Sequence, residues 1–254
     1  MWRVFFASAT GKRNLDQDEA GQDASHYIVM DDVLVAVVCD GAGSVREGRK
    51  GSEFIARVLA EELSTALLAG RTPPGPGAEG GAAIDSTIRF AIGAVRSGLA
   101  DLAAARQLAL HDYSCTVVGC VASPGGGLFF HIGDGFAIKQ DAAGDCVLSP
   151  PENGEYADET YFVTDENWKD HLRLTPLPAF ERGCVLGLMS DGTAPFAVNR
   201  ERSGFFRPFI DPIAAFLREA TAPNGNAALK NLLESPRASE ISPDDKTLLL
   251  AFAL

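Results

Sequence analysis

The sequence lacks the cysteine patterns of disulfide frameworks and of thiolate metal sites. Its five cysteines include no Cys-x-x-Cys pair, and most of them stand in apolar stretches with strand character. An odd number of cysteines without metal-ligand spacing predicts reduced, buried thiols. We therefore expect neither structural disulfides nor a cysteine-bound metal.

Basic residues are also scarce, because 22 Lys and Arg stand against 34 Asp and Glu and give a formal net charge of −12. This balance disfavours nucleic acid and anionic membrane surfaces as partners. No apolar run approaches membrane-spanning length, and residues 1–6 do not have the layout of a signal peptide. We expect a cytoplasmic protein with no membrane partner.

The most informative stretch is a buried strand that ends in an acid. Residues 33–38 are unbroken and apolar, mostly β-branched, and the run continues into Asp40-Gly41. Two later apolar stretches end in the same way, at Asp134-Gly135 and at Asp191-Gly192. Because a carboxylate at the end of a buried strand is costly without a cation, the three acids predict one shared cation site.

The periodicity of apolar residues predicts antiparallel sheets with segregated helices, which is an α+β fold. Residues 10–23, 149–160 and 165–182 show no regular pattern, and residues 71–81 form a Pro/Gly-rich loop. Helices are predicted over residues 52–69, 83–108, 212–220 and 227–233. Strands are predicted over residues 3–9, 26–30, 33–38, 114–122, 128–132, 136–139, 146–148, 161–164, 184–189 and 247–252, with 136–139 continuing a meander from 128–132.

The glycine-rich turn after Asp40 is not a nucleotide-binding loop. Residues 41–46 lack the third glycine of the dinucleotide fingerprint, and the sequence contains no Gly-Lys-Ser/Thr. A carboxylate beside the turn would repel a pyrophosphate but would hold a hard cation. Mg²⁺ and Mn²⁺ prefer such oxygen ligands, and Asp244-Asp245 supplies two more acids just before the last strand.

The order of these motifs resembles the metal-dependent protein phosphatases of type 2C, also called the PPM family, and most closely their bacterial branch. The match spans almost the whole chain, and residues 154–164 also resemble that branch. The motifs, in order, are Gln22-Asp23-Ala24, Asp40-Gly41-Ala42-Gly43-Ser44, Ser114-Cys115-Thr116, Gly133-Asp134-Gly135, Ser190-Asp191-Gly192 and Asp244-Asp245-Lys246-Thr247.

This resemblance implies a single domain over residues 1–254, folded as a four-layer αββα sandwich of two antiparallel sheets flanked by helix pairs. It also implies two Mn²⁺ or Mg²⁺ ions at one edge of the sandwich, which activate a water that attacks phosphorus. The implied activity is a serine/threonine protein phosphatase. No protein nucleophile is needed, in keeping with a sequence that shows no obvious Ser/His/Asp or Cys/His arrangement.

Carried over to this sequence, the family's catalytic acids are Asp40, which would bridge both ions, and Asp191. The carbonyl of Gly41 would bind one ion, directly or through water. Asp244 would complete the first ion's shell, and it is preferred to Asp245 because it lies three residues before the Thr that opens the last strand. Asp134 resembles a residue that helps some bacterial members hold a third ion.

The N-terminal acid has two candidates. Asp23 fits the Gln-Asp-Ala pattern and leads directly into a strand, and we favour it. Asp18 also follows a Gln and has the family's usual spacing from an arginine, Arg13. Arg13 is the candidate phosphate-binding residue, although its spacing from Asp23 departs from the family's pattern.

Three functions are compatible with these residues. The main hypothesis is a phosphatase acting on phosphoserine or phosphothreonine in proteins, with a Ser/Thr kinase or the target of that kinase as partner. A catalytically inactive, partner-binding domain would be expected to have lost some of the acids, which are all present. A hydrolase of small phosphate esters would keep the ions and differ in the loops at 149–182 and 193–210.

Overall fold

The computed structural model describes residues 2–16, 19–70, 78–152 and 160–254. Two five-stranded sheets, all of whose paired strands are antiparallel, form its centre. One sheet has the order β1-β10-β9-β6-β7, with β1 at Trp2–Ala9, β6 at Phe136–Gln140, β7 at Cys146–Ser149, β9 at Val185–Met189 and β10 at Lys246–Ala253. The other has the order β2-β3-β4-β5-β8, with β2 at Asp23–Met30, β3 at Val33–Asp40, β4 at Val117–Ser123, β5 at Gly126–Ile132 and β8 at Arg173–Leu177.

The helices lie on the outer faces of the two sheets. Against the β2-β3-β4-β5-β8 sheet lie α2 (Gly48–Leu68) and α3 (Ala78–Ala105). Against the other sheet lie α5 (Ala194–Ala197), α6 (Arg207–Glu219), α7 (Ala222–Leu233) and α8 (Pro236–Ile241). Two further short helices are α1 (Lys12–Asp16) and α4 (Trp168–His171), and Leu110–Tyr113 forms a 3₁₀ turn.

The central core lies between the sheets. Val38 and Val118 from one sheet meet Leu188 and Leu249 from the other, and all four side chains are buried. On the outer face, the predicted apolar stripe of α2, which includes Leu59, packs on its sheet. The layers therefore run helix, sheet, sheet, helix, and the predicted αββα sandwich is confirmed.

Several local predictions were wrong. Phe136–Gln140 does not continue the meander from β5; it crosses to the other sheet and pairs with β7 and β9. Residues 161–164 do not form a strand, because 161–162 are irregular and 163–164 lie in a turn, while β8 lies in a stretch expected to be irregular. The polar segment 10–23 contains α1, and α3 begins at Ala78 instead of residue 83. Of the Pro/Gly-rich loop predicted over residues 71–81, residues 71–77 lie outside the described residues, and residues 78–81 belong to α3 instead.

The five cysteines are all free, and four of them are buried, as predicted. His131, a strand histidine, is also buried, and its Nδ1 lies 3.0 Å from the hydroxyl of Ser149. In the described part of the chain, no helix combines the length and the apolar character needed to span a membrane.

Candidate metal centre

Five aspartates lie at strand ends along one edge of the sandwich. Asp23 opens β2 and stands directly opposite Asp40, which closes β3. Asp191 follows the end of β9, and Asp244 precedes the start of β10, the antiparallel neighbour of β9. Asp134 lies in the turn between β5 and β6. Since the end of one strand meets the start of its antiparallel neighbour, both sheets bring their acids to the same edge.

The backbone around Asp40 is fixed from both sides. Its amide donates to the hydroxyl of Thr116 at 3.1 Å, and its carbonyl accepts from the Thr116 amide at 2.8 Å. The amide of Gly41 donates to the carbonyl of Gln22 at 3.2 Å. A Cβ at Gly41 would lie 2.5 Å from the carbonyl of Gly48 at the start of α2, so only glycine fits there. These contacts hold the acid at a defined position.

The carboxyl groups are close enough to perturb one another. Burial raises the pKa of Asp40 well above its usual range, and the neighbouring carboxyls of Asp23, Asp191 and Asp134 raise it further. Burial likewise raises the pKa of Asp191 to about 6, with Asp134 and Asp244 as the next contributions. The five acids therefore form one connected cluster of mutually repelling charge.

Asp23 is held by a serine from the opposite sheet. The hydroxyl of Ser190 donates to Asp23 Oδ2 at 2.7 Å and accepts the amide of Thr247 at 2.9 Å. Burial raises the pKa of Asp23 to about 7, and the hydrogen bond from Ser190 opposes that shift. Ser190 thus links the ends of β2, β9 and β10 at the cluster.

The donor set fits a hard divalent cation. Within the described residues, the buried oxygens Asp23 Oδ1 and Asp191 Oδ1 have no hydrogen-bond partner. Among the described residues, no three or more His, Cys, Asp or Glu side chains are grouped so that they could hold a metal ion as they stand. Mg²⁺ and Mn²⁺ suit such an arrangement, because they are held by a few carboxylates and keep several waters. A divalent cation would offset the mutual repulsion of these carboxylates and would bind the oxygens that lack a hydrogen-bond partner.

The neighbours Asp244 and Asp245 have different surroundings. Asp245 is only 3% exposed and accepts the amides of Gly11 and Gln22, each at 2.6 Å, and the side-chain amide of Asn14 at 2.8 Å. Asp244 lines both arms of the cleft beside the cluster, whereas Asp245 lines only the smaller arm. The geometry therefore supports the preference for Asp244 as a ligand and gives Asp245 a structural role.

The acid cluster opens into a cleft with two arms that share Arg13, Asp134, Thr160 and Asp244. The smaller arm, about 430 Å³, contains Asp40 and Gly41, and the larger, about 960 Å³, contains Asp191. Arg13 lies on α1 and is exposed, and its amide donates to the carbonyl of Pro243 at 3.2 Å. A cation thus stands at the junction of the two arms, beside the acids.

The structure brings most of the predicted site residues together. Asp23, Asp40, Asp134, Asp191 and Asp244 form the cluster, and Gly41 and Arg13 line the cleft. The alternative ligand Asp18 lies outside the described residues, as does the family-like stretch 154–159. Sequence reasoning gave no role to Ser190 or Thr160 and considered Asp245 only as the less favoured alternative to Asp244 as a metal ligand. In the structure the Thr160 hydroxyl donates to Asp134 at 2.7 Å. Only contacts between segments distant in sequence identify these three.

Comparison with known proteins places this architecture in one family. A model of the family described as protein phosphatase 2C matches residues 10–234. The chain belongs to this family. The chain is also similar to serine/threonine-protein phosphatase 3 of Escherichia coli (strain K12). The two are 31% identical over 261 aligned residues, and the alignment covers 98% of each chain. The predicted membership is confirmed, and protein phosphatase activity and metal dependence are properties of this family.

Solved structures show the same fold at low sequence identity. The serine/threonine phosphatase of S. agalactiae matches with a TM-score of 0.63 and 14% identity, covering 100% of both chains. RsbX in complex with magnesium matches with a TM-score of 0.57 and 11% identity, covering 99% of this chain and 94% of that one. At these identities the likeness supports the sandwich architecture alone.

Proposed function

We propose that this protein is a metal-dependent phosphatase that hydrolyses phosphoserine or phosphothreonine in proteins. The observation that carries the proposal is the convergence of five aspartates from both sheets, four of which line a cleft beside Arg13. Membership in the protein phosphatase 2C family supports it over a partner-binding domain and over a hydrolase of small phosphate esters.

The residues that would hold two Mn²⁺ or Mg²⁺ ions are Asp23, Asp40, Asp191 and Asp244, together with the carbonyl of Gly41. Asp134, held by Thr160, would take part in a third, weaker site. When bound, these ions supply a water of lowered pKa as the nucleophile and offset the charge of the phosphoryl group.

Arg13 orients the phosphoryl group. Its guanidinium carries five N–H donors in a planar fork, which matches the oxygens of a phosphate monoester. Among the described residues Arg13 makes no ion pair, so its donors are available to a substrate. Its place where both arms meet sets the phosphoryl group against the carboxylates.

A thiol nucleophile is disfavoured at this site. Cys39 directly precedes Asp40 but is fully buried, and burial together with Cys115 raises the pKa of its thiol well above the usual range. The thiol therefore stays protonated at neutral pH, whereas a cysteine nucleophile reacts as the thiolate. In the proposed reaction, water therefore attacks phosphorus directly, without a covalent intermediate on cysteine.

The substrate is a phosphorylated protein, and we propose that the partner is a Ser/Thr kinase or the target of such a kinase. A cytoplasmic location is part of the same proposal. The larger arm of the cleft supports a peptide substrate, because a space of about 960 Å³ exceeds what a phosphoryl group alone would fill.

The test is hydrolysis of para-nitrophenyl phosphate and of a phosphothreonine peptide in Mn²⁺, Mg²⁺ or EDTA. We expect turnover that requires the ion and falls by at least about a hundredfold in Asp40→Asn and in Asp191→Asn, because changes beyond the direct ligands already cost 10- to 100-fold. Asp101→Asn, which removes the same charge from the exposed face of α3, is the matched control. Turnover in EDTA, or equal loss in the control, would contradict the proposal.

A further inference from the structure

Two arginines line the larger arm of the cleft beyond the acid cluster. Arg200 and Arg202 lie on the turn between α5 and α6 and line the same space as Asp134, Asp191 and Asp244. Both side chains are exposed. The arm thus has an acidic end, where the ions would be held, and a basic end that the proposed chemistry does not use.

The turn that carries these arginines is ordered by its own hydrogen bonds. Val198 and Phe205 form an isolated antiparallel bridge, and the amide of Asn199 donates to the carbonyl of Gly204 at 3.0 Å. The side-chain oxygen of Asn199 accepts the amide of Ser203 at 2.9 Å. The guanidinium carbon of Arg202 lies 6.0 Å from the centroid of the Phe136 ring. The two charges are therefore presented from a defined turn.

Arg202 also has an unusual backbone. Its φ of 53° lies in the left-handed region, which is unfavourable for most residues other than glycine, asparagine and aspartate. A residue kept in such a conformation on a cleft wall is a candidate for function, because glycine would relieve the strain. Arg202 therefore combines an unfavourable backbone conformation with a charged side chain on the cleft wall.

The charges on these arginines are not paired with carboxylates among the described residues, although the Arg202 guanidinium lies over the ring of Phe136. Among the described residues, neither Arg200 nor Arg202 makes an ion pair, whereas Arg207 on the adjacent α6 is paired with Asp211 at 2.7 Å. Glu201 is exposed on the same turn but does not line the cleft. Since the chain carries a net charge of −12, its overall field repels an anionic substrate, and only local cations can reverse this effect.

We propose that Arg200 and Arg202 form a subsite for a second anionic group on the substrate, so that the enzyme prefers phosphopeptides with a glutamate, an aspartate or another phosphorylated residue near the one it hydrolyses. This inference rests on the proposed phosphatase function. Arg13 takes the phosphoryl group that is hydrolysed, and the two arginines of the turn bind a neighbouring side chain. Arginine suits both carboxylate and phosphate partners.

The test compares phosphothreonine peptides that are identical except at one flanking position, which is glutamate, a second phosphothreonine or glutamine. All rates are measured in Mn²⁺. For each peptide, kcat/KM is divided by the kcat/KM for para-nitrophenyl phosphate, because that substrate has no flanking group. We expect the native enzyme to prefer an anionic flank by about three- to tenfold, which lies within the range expected for two exposed ion pairs. The preference should weaken as ionic strength rises.

The variants are Arg200→Gln with Arg202→Gln, and Arg202→Gly, which removes the guanidinium and suits the left-handed backbone. Both should lower the anionic preference, the double variant to about one. Arg207→Gln, a neighbouring arginine outside this arm of the cleft, should retain the native preference. Comparison of the glutamate peptide with the phosphothreonine peptide shows whether the subsite prefers a carboxylate or a phosphate.

An unchanged preference in the double variant, or an equal loss in Arg207→Gln, would overturn the subsite while leaving the phosphatase function intact. Absence of Mn²⁺-dependent turnover on para-nitrophenyl phosphate by the native protein would instead overturn the function, and the subsite with it.

Discussion

At the scale of single residues, the site depends on which carboxylates are satisfied by the protein and which are not. Asp245 accepts three hydrogen bonds from residues 11–22 and ties that segment to the start of β10. Because this segment carries Arg13 and leads into Asp23, we infer that Asp245 positions both of them. Its carboxylate also borders the smaller arm of the cleft, and its charge contributes to the raised pKa of Asp23. Asp191 has a buried oxygen with no partner in the described residues, which marks it as available to a ligand.

We predict that Asp245→Ala lowers the free energy of unfolding by about 3 kcal/mol, because three donors lose their acceptor and two of them are backbone amides. In a chain of this length the change corresponds to about 6–12 °C in Tm. Urea unfolding and a thermal melt would measure it. Asp245→Asn keeps one acceptor oxygen and should lose less.

Asp244→Asn serves as the comparison for Asp245→Ala. It removes a charge from the repelling cluster, so the metal-free protein should keep its stability while turnover falls. A similar loss of stability in both variants would contradict the division of roles between these neighbours.

At the scale of elements, the acids meet because strand ends approach closely at glycines. A Cβ at Gly192 would lie 1.9 Å from the carbonyl oxygen of Asp245, so the turn after β9 touches the backbone that leads into β10. This contact sets the separation of Asp191 from Asp244. Any side chain at Gly192 must push the two strand ends apart.

We predict that Gly192→Ala lowers both turnover and Tm, because the backbone at Asp245 has to move. Gly93→Ala is the matched control: Gly93 lies inside α3 and a Cβ there would have no atom within 4 Å. That change should raise the free energy of unfolding by about 0.5–1 kcal/mol, since alanine favours the helix. Native turnover in Gly192→Ala would show that the strand ends tolerate separation.

At the scale of the whole molecule, the cluster makes stability depend on pH and on the ion. The pKa values of Asp23, about 7, and Asp191, about 6, are raised mainly by burial above the ordinary value near 3.8. In the metal-free protein these carboxyls hold protons between about pH 4 and 7 that the unfolded chain has released. By linkage, stability is greatest below this range and falls as pH rises through it.

We predict that in EDTA the Tm decreases from pH 5 to pH 8. Added Mn²⁺ should raise the Tm most at the high end of that range, because an ion must displace the protons to bind. Differential scanning fluorimetry across pH, with and without Mn²⁺, would measure both effects. The decrease in EDTA should be smaller in Asp191→Asn. A Tm in EDTA that rises between pH 5 and 8 would contradict the assignment.

Much of the fold followed from local patterns. Long apolar or alternating stretches predicted β1, β3, β5, β9 and β10, and apolar residues three and four apart predicted α2 and α3. Shorter elements were missed, since α1 has only five residues, none of them buried, and β8 contains Arg173 and Pro176. The predicted pairing of β6 with β5 was wrong because strand pairing depends on contacts between residues distant in sequence.

The sequence by itself determined the family, the αββα class and the identity of the acids, because motif order and apolar periodicity are written along the chain. The roles of the individual acids and of Arg13, the single domain over residues 1–254 and the cytoplasmic location stay predictions. The preference for Asp244 over Asp245 came from the sequence, but only the tertiary structure supplied a physical reason for it: the two are chemically identical neighbours, and donors brought in from the start of the chain bind the carboxylate of Asp245. The tertiary structure also placed Arg200 and Arg202 beside the acids, because a cleft exists only once both sheets are stacked.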